Sequence, residues 1–330
     1  MEFSDLARLA SGHVEARIIQ AAVQLGIFDA IGNDALEAGT VAKSLNLESR
    51  ATDLMLNALT ALGLLCKRTE RFCLTDVSLK YLKHGTPEYL GGMIRFDASL
   101  WACWEQLPDA VRNGLPVRPA NMYQDDPTET ETFVRAMDSL VKARGDAEVM
   151  GKAFDWNNAT ELLDVGSGPA TYPIALCKSF PALRATIFDL TGTLKFTQSY
   201  VREAGLEDRI RLIPGDYGKD PIPGSYDIVF LSNIIHAEGE SDNESLVCKL
   251  AAVLNPGGRL VIKDHILDES HAHPSEGTIF SLLMLLTTAA GRCYSFREIR
   301  GWMERACLRN AHQIALPPPL TSSLVIATKI

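Results

Sequence analysis

The apolar positions of the chain change their period near residue 155. Before it they recur every three or four residues, the spacing of amphipathic helices. Residues 13–31 are such a stretch: Val14, Ile18, Ala21, Ala22 and Leu25 share one face, and Gly26 offers a helix C-cap. Residues 39–45 predict a second, shorter helix. Residues 48–65 predict a third, with Leu54, Leu56, Leu59, Leu62 and Leu65 at its apolar positions. Residues 66–75 then read as a small β-hairpin, so that helix, helix and wing make a winged-helix arrangement. Residues 128–150 form another helix, with Phe133, Met137, Leu140 and Val141 on one face.

After residue 155, short apolar runs alternate with helical stretches. That alternation predicts a parallel sheet with crossover helices. Strands are expected at 162–165, 184–189, 210–213, 226–231 and 259–263. Helices are expected at 171–180, 193–204, 242–254, 280–289 and 295–307. Two closing strands, 313–316 and 323–328, flank Pro317-Pro318-Pro319.

Composition narrows the partners. The 330 residues are 46% hydrophobic and 22% charged, ordinary for a globular protein large enough for two domains. No apolar run is long enough to span a bilayer, and Met1-Glu2-Phe3-Ser4-Asp5 lacks a secretory pattern, so no membrane partner is expected. The net charge of −9 argues against nucleic acid, which is bound through clustered Lys and Arg. The third helix and its lead-in carry Glu48, Arg50 and Asp53, and only Lys67, Arg68 and Arg71 in the wing form a basic cluster. The seven cysteines are odd in number and scattered, which predicts reduced thiols in a cytoplasmic protein. His271-Ala272-His273 has no matched third ligand, so no metal is expected.

The chemistry gathers at strand ends. Residues 161–170 run from an apolar strand into Asp164 and then into small residues, with Gly166, Ser167, Gly168 and Ala170 forming a turn before a helix. In an open α/β sheet, ligands bind at such turns. Asp189 ends the second strand, where an acid accepts hydrogen bonds from ribose hydroxyls. Asp216 follows the third. A dinucleotide fingerprint would need glycine at 171, where Thr171 stands, and no Gly-Lys-Ser/Thr P-loop is present. The turn therefore fits a ligand that brings a small zwitterionic end to it. His236 follows the fourth strand on the same rim. Imidazole, with an ordinary pKa near 6.5, takes a proton at neutral pH. Asp264, at the end of the fifth strand, is placed to accept its N–H. The aromatic and methionine side chains before residue 150 read first as core packing, with a pocket wall that includes Phe133 and Met137 as the alternative.

In order and spacing these segments resemble those of a class I S-adenosylmethionine-dependent methyltransferase. With the N-terminal winged helix, nearly the whole chain resembles the small-molecule O-methyltransferase family that includes plant caffeate and bacterial polyketide enzymes. Leu162–Gly168 is similar to its glycine-rich first motif, Phe188-Asp189-Leu190 to its ribose-binding motif and Gly215-Asp216-Tyr217 to its adenine-side motif. Ile234-Ile235-His236 is similar to the segment with its catalytic base, and residues 254–258 to the turn before its fifth strand. The resemblance implies an α/β fold: a Rossmann-like domain with a mostly parallel sheet and an antiparallel C-terminal strand, after a mainly helical winged-helix domain. It implies a dimerisation domain over 1–95, a helical connection contributing to the substrate pocket over 96–150, and a catalytic domain over 151–330.

The resemblance also implies a cofactor, S-adenosyl-L-methionine, held by Asp164, Gly166, Ser167, Gly168, Asp189, Leu190, Asp216, Tyr217 and Ser232. His236 would be the base that frees the acceptor hydroxyl, and Asp264 would hold that histidine; Trp104, Phe133, Met137 and Met284 are candidates for the substrate pocket. The expected partners are a small hydroxyl-bearing metabolite of secondary metabolism and a second copy of the chain. The chain departs from the family in three places. His236 is followed by Ala237-Glu238 rather than Asp-Trp, Gly291 replaces a second acid, and Ser232 replaces a lysine. The alternatives are N-methylation, non-methylating chemistry on the same fold, and a winged-helix DNA-binding regulator.

Overall fold

Gly26 stops the first helix of the chain. It takes φ 75°, a left-handed conformation that glycine adopts without strain, and its N–H reaches the carbonyls of Ala22 and Val23. The predicted stretch 13–31 is thereby divided into α1 (Phe3–Leu25) and α2 (Ile27–Ile31). The buried face of α1 centres on Ala22 and Val23; Val14 and Leu25, expected on that face, are exposed. The computed structural model describes residues 1–330 and separates them into two units. One comprises Met1–Trp101 with Arg135–Ala143, the other Ala102–Val134 with Arg144–Ile330.

In the first unit, β1 (Leu36–Glu37), α3 (Ala38–Leu45) and α4 (Ser49–Ala61) precede a hairpin of β2 (Leu65–Arg68) and β3 (Arg71–Leu74). The sheet order is β1-β3-β2, all antiparallel. α5 (Asp76–Tyr81) and α6 (Gly91–Ser99) follow. Phe28, Ile31, Val41, Leu56, Leu59 and Phe72 form the core, so the winged-helix pattern comes from helices packed on the hairpin. One expectation fails here. The hairpin register sets Cys66 opposite Cys73 with Cα atoms 5.3 Å apart, and the two form a disulfide. Cross-strand partners bring their Cβ atoms together, which scattered spacing did not reveal. The wing's cations have acidic neighbours: Lys67 Nζ lies 3.6 Å from Glu70, and Arg71 Nε 3.8 Å from Glu37.

α7 (Trp101–Glu105) and α9 (Pro127–Arg144) run through both units, with α8 (Leu107–Asn113) between them. The predicted helix 128–150 is broken at Gly145, φ 70°, and resumes as α10 (Asp146–Ala153). The rest of the second unit is built on a seven-stranded sheet. Its strands are β4 (Glu161–Val165), β5 (Arg184–Asp189), β6 (Ile210–Pro214), β7 (Tyr226–Ser232), β8 (Leu254–Asp264), β11 (Leu308–Ala315) and β12 (Ser323–Lys329). A small parallel pair, β9 (Ile266–Leu267) and β10 (Tyr294–Ser295), stands apart. The order is β11-β12-β8-β7-β4-β5-β6. β8, β7, β4, β5 and β6 are parallel, while β12 runs antiparallel to β8 and β11 to β12.

Helices α11 (Thr171–Ser179), α12 (Thr191–Glu203), α13 (Glu240–Ala252), α14 (Ser275–Thr287) and α15 (Phe296–Arg305) complete the unit. Leu163, Val165, Val229 and Leu231 are fully buried, as expected for strands covered on both faces. Leu246, Leu250, Ile299 and Trp302 bring α13 and α15 onto this core. β8 begins at Leu254, before Pro256-Gly257-Gly258, whereas the sequence pattern starts the strand at 259. A register shift between Tyr226 and Ile228 of β7 absorbs the irregular start. No helix is long and apolar enough to cross a membrane.

Candidate active site

Because the strands are parallel, Asp164, Asp189, Ser232 and Asp264 all stand at the carboxyl edge of the sheet. β4 and β7 are neighbours, as are β7 and β8, so the turn after Asp164 lies beside the turn that carries His236. The first turn is held in an unusual backbone. Gly166, Gly168 and Ala170 take φ 67°, 59° and 62°. A Cβ on Gly166 would collide with Ile234, whereas one on Gly168 would meet nothing within 4 Å. The backbone is thus closely packed on one side and open on the other.

The acids of this rim are deeply buried. Asp164 accepts the Ser167 hydroxyl at 2.7 Å through Oδ2, while its Oδ1 is buried without a hydrogen-bond partner. Burial pushes the Asp164 carboxyl up to about 8. Asp189 accepts the N–H of Gly168 at 2.8 Å and of Leu190 at 2.7 Å. Burial raises it to about 6, against the pull of those two donors. A buried acceptor lacking a donor, beside a glycine turn and a second acid, fits a ligand with an ammonium end and a hydroxylated ring. Asp216 differs: its carboxylate binds Gly218 N–H at 2.9 Å and Lys219 Nζ at 2.8 Å within its own turn. Tyr217 is turned inward and donates to Glu238 Oε1 at 2.8 Å. Glu238, noted in the sequence only as a departure from the family, thus has a partner in the site.

His236 lies in a short 3-10 turn, residues Ile235–Ala237, after β7. Its Nδ1 is 2.8 Å from Asp264 Oδ1. A carboxylate accepts, so Nδ1 carries the proton and Nε2 keeps its lone pair. Burial alone would raise the Asp264 carboxyl; His236 and His265 outweigh it and hold the group below the ordinary carboxylate range. The Phe280 ring of α14 stands edge-on to His236, with centroids 4.8 Å apart. Gly291 lies against the His236 carbonyl, where a side chain would collide. Glu298 serves elsewhere: it pairs with Arg292 at 2.7 Å and caps α15. His271 faces Glu298 at 3.7 Å, and no group of three or more His, Cys, Asp or Glu side chains is arranged to hold a metal ion.

One cluster escaped the sequence reading. Ser232 is the register partner of Lys263, which is fully buried. Lys263 Nζ lies 3.2 Å from Asp146, which also holds a two-point contact from Arg144 at 3.0 Å and the Tyr172 hydroxyl at 3.1 Å. Of the expected pocket residues, Trp104, Phe133 and Met284 belong to the second unit, and Met137 to the first. Phe133 stacks on Tyr123 with centroids 4.8 Å apart, and Met284 is buried on α14. The segment between α8 and α9 is tied down by Val117 N–H to the Leu286 carbonyl at 2.9 Å and Gln124 Nε2 to Thr193 Oγ1 at 3.2 Å.

A parallel sheet with an antiparallel edge, a glycine turn and acids at successive strand ends define the Rossmann-like methyltransferase fold. Comparison with known proteins gives the family. An O-methyltransferase domain matches residues 104–309, and an O-methyltransferase dimerisation domain matches residues 7–84. The chain belongs to the O-methyltransferase family, whose methyl donor is S-adenosylmethionine. It is similar to the 3-hydroxy-5-methyl-1-naphthoate 3-O-methyltransferase of Streptomyces sahachiroi, 28% identical over 98% of this chain and 94% of that protein. It is also 28% identical to the tetracenomycin polyketide synthesis 8-O-methyl transferase of Streptomyces glaucescens, over 97% of this chain and 95% of that one. Among solved structures, human N-acetylserotonin methyltransferase in complex with S-adenosylmethionine superposes with a TM-score of 0.90 at 22% identity, over 99% of this chain and 97% of that one.

Proposed function

We propose that this chain methylates a phenolic hydroxyl of a small aromatic metabolite, with His236 as the base. The observation that carries the reading is the 2.8 Å contact between His236 Nδ1 and Asp264, on the rim that also bears the Gly166–Ala170 turn. Both similar Streptomyces proteins are named for O-methylation, one of them on a hydroxynaphthoate, which supports an aromatic acceptor.

When bound, S-adenosylmethionine supplies an electrophilic methyl group on a sulfonium. Asp164 would receive its ammonium end, with Gly166, Ser167 and Gly168 close to the amino-acid portion. Asp189 and Leu190 would meet the ribose, Asp216 and Tyr217 the adenine side, and Ser232 the region next to His236. Asp264 would hold the His236 tautomer, and Nε2 would take the proton of the acceptor hydroxyl, so that its oxygen could accept the methyl group. The products would be the methyl ether and S-adenosylhomocysteine, with the proton left on His236. The Phe280 ring, edge-on to His236, would narrow the space in which the acceptor meets the base.

We further infer a homodimer through the first unit. Phe3, Leu6 and Leu9 on α1 are all exposed, and the dimerisation-domain match covers the later part of that helix. Sedimentation of the intact chain at twice the monomer mass supports this; a monomer at micromolar concentration overturns it. The activity is tested by incubating the enzyme with S-adenosylmethionine and a set of phenols. A product heavier by one CH₂, with S-adenosylhomocysteine in equal amount, is expected. Methylation confined to amines would overturn the hydroxyl assignment.

A further inference from the structure

A second imidazole stands close to the first and has no proton-transfer role in the chemistry above. His265 follows Asp264 directly, and its backbone N–H donates to Asp264 Oδ1 at 2.7 Å, the same oxygen that faces His236. Its ring lies 5.1 Å from the Phe280 centroid, so the two imidazoles flank one phenyl ring. The Nδ1 of His265 is 3.1 Å from the Thr321 carbonyl. A carbonyl only accepts, so Nδ1 carries the proton, and Nε2 is left with a lone pair. That nitrogen makes no hydrogen bond within the protein and is not among the buried unpartnered atoms, and the residue is partly exposed.

We propose that His265 is a specificity-determining residue: its Nε2 accepts a hydrogen bond from a second donor on the methyl acceptor, across the Phe280 ring from the hydroxyl that is methylated. The inference rests on the reading of His236 as the base. It names the acceptor class more narrowly, as an aromatic molecule with two separated donors, such as a dihydroxyarene.

The surroundings favour this role. Burial holds the His265 imidazole below its usual range, and His236 and Lys263 act in the same direction against Asp264 and the Thr321 carbonyl. Glu276 of α14 also interacts with it. A neutral imidazole accepts at Nε2, whereas a protonated one would donate from both nitrogens. A site that hydrogen-bonds a substrate hydroxyl discriminates against the analogue without it, because its polar group is then left unpaired.

The test uses the complex of the full chain with S-adenosylhomocysteine. Binding of 1-naphthol and 2-naphthol is compared with that of the dihydroxynaphthalene isomers by fluorescence titration. At least one isomer should bind the wild-type complex roughly two- to ten-fold more tightly than its parent naphthol, the range one hydrogen bond supplies. His265→Gln places an amide near the Nε2 position and should keep part of that preference. His265→Asn keeps only the Nδ1 side, facing Thr321, and should lose it, with KM for the preferred isomer rising more than kcat falls. If the preference survives in His265→Asn, or if only Asn and not Gln preserves it, the histidine merely anchors the 321 region and the proposal fails. If no isomer is preferred while naphthols are methylated, this inference fails alone. If the complex forms and no phenol binds or reacts, the phenolic acceptor falls, and this inference with it.

Discussion

Asp264 and His236 meet through a 2.8 Å hydrogen bond, formed because β7 and β8 are neighbours in the sheet. The pair predicts two distinct phenotypes. His236→Ala should lower kcat by about 10² to 10⁴, the usual worth of a positioned base. Its affinity for S-adenosylhomocysteine should stay close to wild type, since the Gly166–Ala170 turn is untouched. Asp264→Asn should lose less, about 10- to 100-fold, because an amide can still orient the ring but does not stabilise its protonated form. Full turnover by His236→Ala would remove the base assignment. Acid stability adds a second check. The Asp264 carboxyl is held below the ordinary range, so it stabilises the fold above about pH 4, and that contribution is lost as pH falls through its folded value. Asp264→Asn should flatten the acid limb of a denaturation profile.

Asp164 predicts proton release on ligand binding. In the free protein burial raises its carboxyl to about 8, so it is largely protonated at pH 7. An ammonium group placed against Oδ1 would favour the ionised form. Binding of S-adenosylhomocysteine should therefore release a proton, and affinity should increase with pH up to about 8 and level off above it. Calorimetry in buffers of different ionisation enthalpy measures the proton directly. Asp164→Asn should abolish most of the release and weaken binding by about ten-fold or more, as loss of a charge-assisted hydrogen bond would. Without ligand the sign is opposite. The folded state holds this proton and the unfolded state does not, so stability declines between about pH 4 and about pH 8. Binding that is equally strong from pH 6 to pH 9 would contradict the assignment.

The parts of the site that could be read from the sequence are those written in local signals. Asp164, Gly166 and Gly168 sit next to one another in the chain, and their spacing already implies a turn at a strand end. Asp189 and His236 could be placed because each ends or follows a short apolar run, and parallel topology puts all such ends on one edge. Gly145 was legible in principle, as a glycine inside a helical pattern, yet the apolar stripe on either side masked the break. What had no local signal was missed. Asp146, at the start of α10, and Lys263, in β8, lie far apart in the chain and meet only in the fold. Cys66 and Cys73 pair only once hairpin register is fixed. His265 looked like the residue after a strand, and only the Thr321 carbonyl and Phe280 ring give it a tautomer and a neighbour.

Gly291 is predicted to be required as glycine. The family resemblance leads one to expect an acid here, but a Cβ at this position would strike the His236 carbonyl and lie 2.9 Å from the Ala237 carbonyl carbon. The Gly291 N–H also donates to Thr288 Oγ1 at 2.9 Å, which fixes the loop against the turn of His236. Gly291→Ala should displace that turn, lower kcat by roughly 10- to 100-fold and cost about 1–3 kcal/mol of stability, as overpacking does. Gly291→Glu should be worse. A Gly291→Glu enzyme faster than wild type would show that the loop yields and that a second acid can be restored.

The buried network around Asp146 predicts an asymmetry between its two ends. Asp146 and Lys263 are both fully buried, and Asp146 also holds Arg144 and Tyr172. Removing the anion leaves two cations without their partner. Asp146→Ala should therefore cost about 3–5 kcal/mol, the usual price of an uncompensated buried charge. Removing the lysine is different. Burial lowers the Lys263 amine despite the pull of Asp146, so desolvation of this group outweighs its attraction. Lys263→Met keeps the volume, leaves Asp146 bound to Arg144 and Tyr172, and should change stability by less than about 1.5 kcal/mol. The pH dependence carries the same information. The unfolded state holds the lysine proton more tightly than the folded one, so stability should rise with pH from the lowered folded value up to about 10.4. Lys263→Met should remove that rise. Equal destabilisation by Asp146→Ala and Lys263→Met in urea titrations would show instead that the ion pair contributes symmetrically.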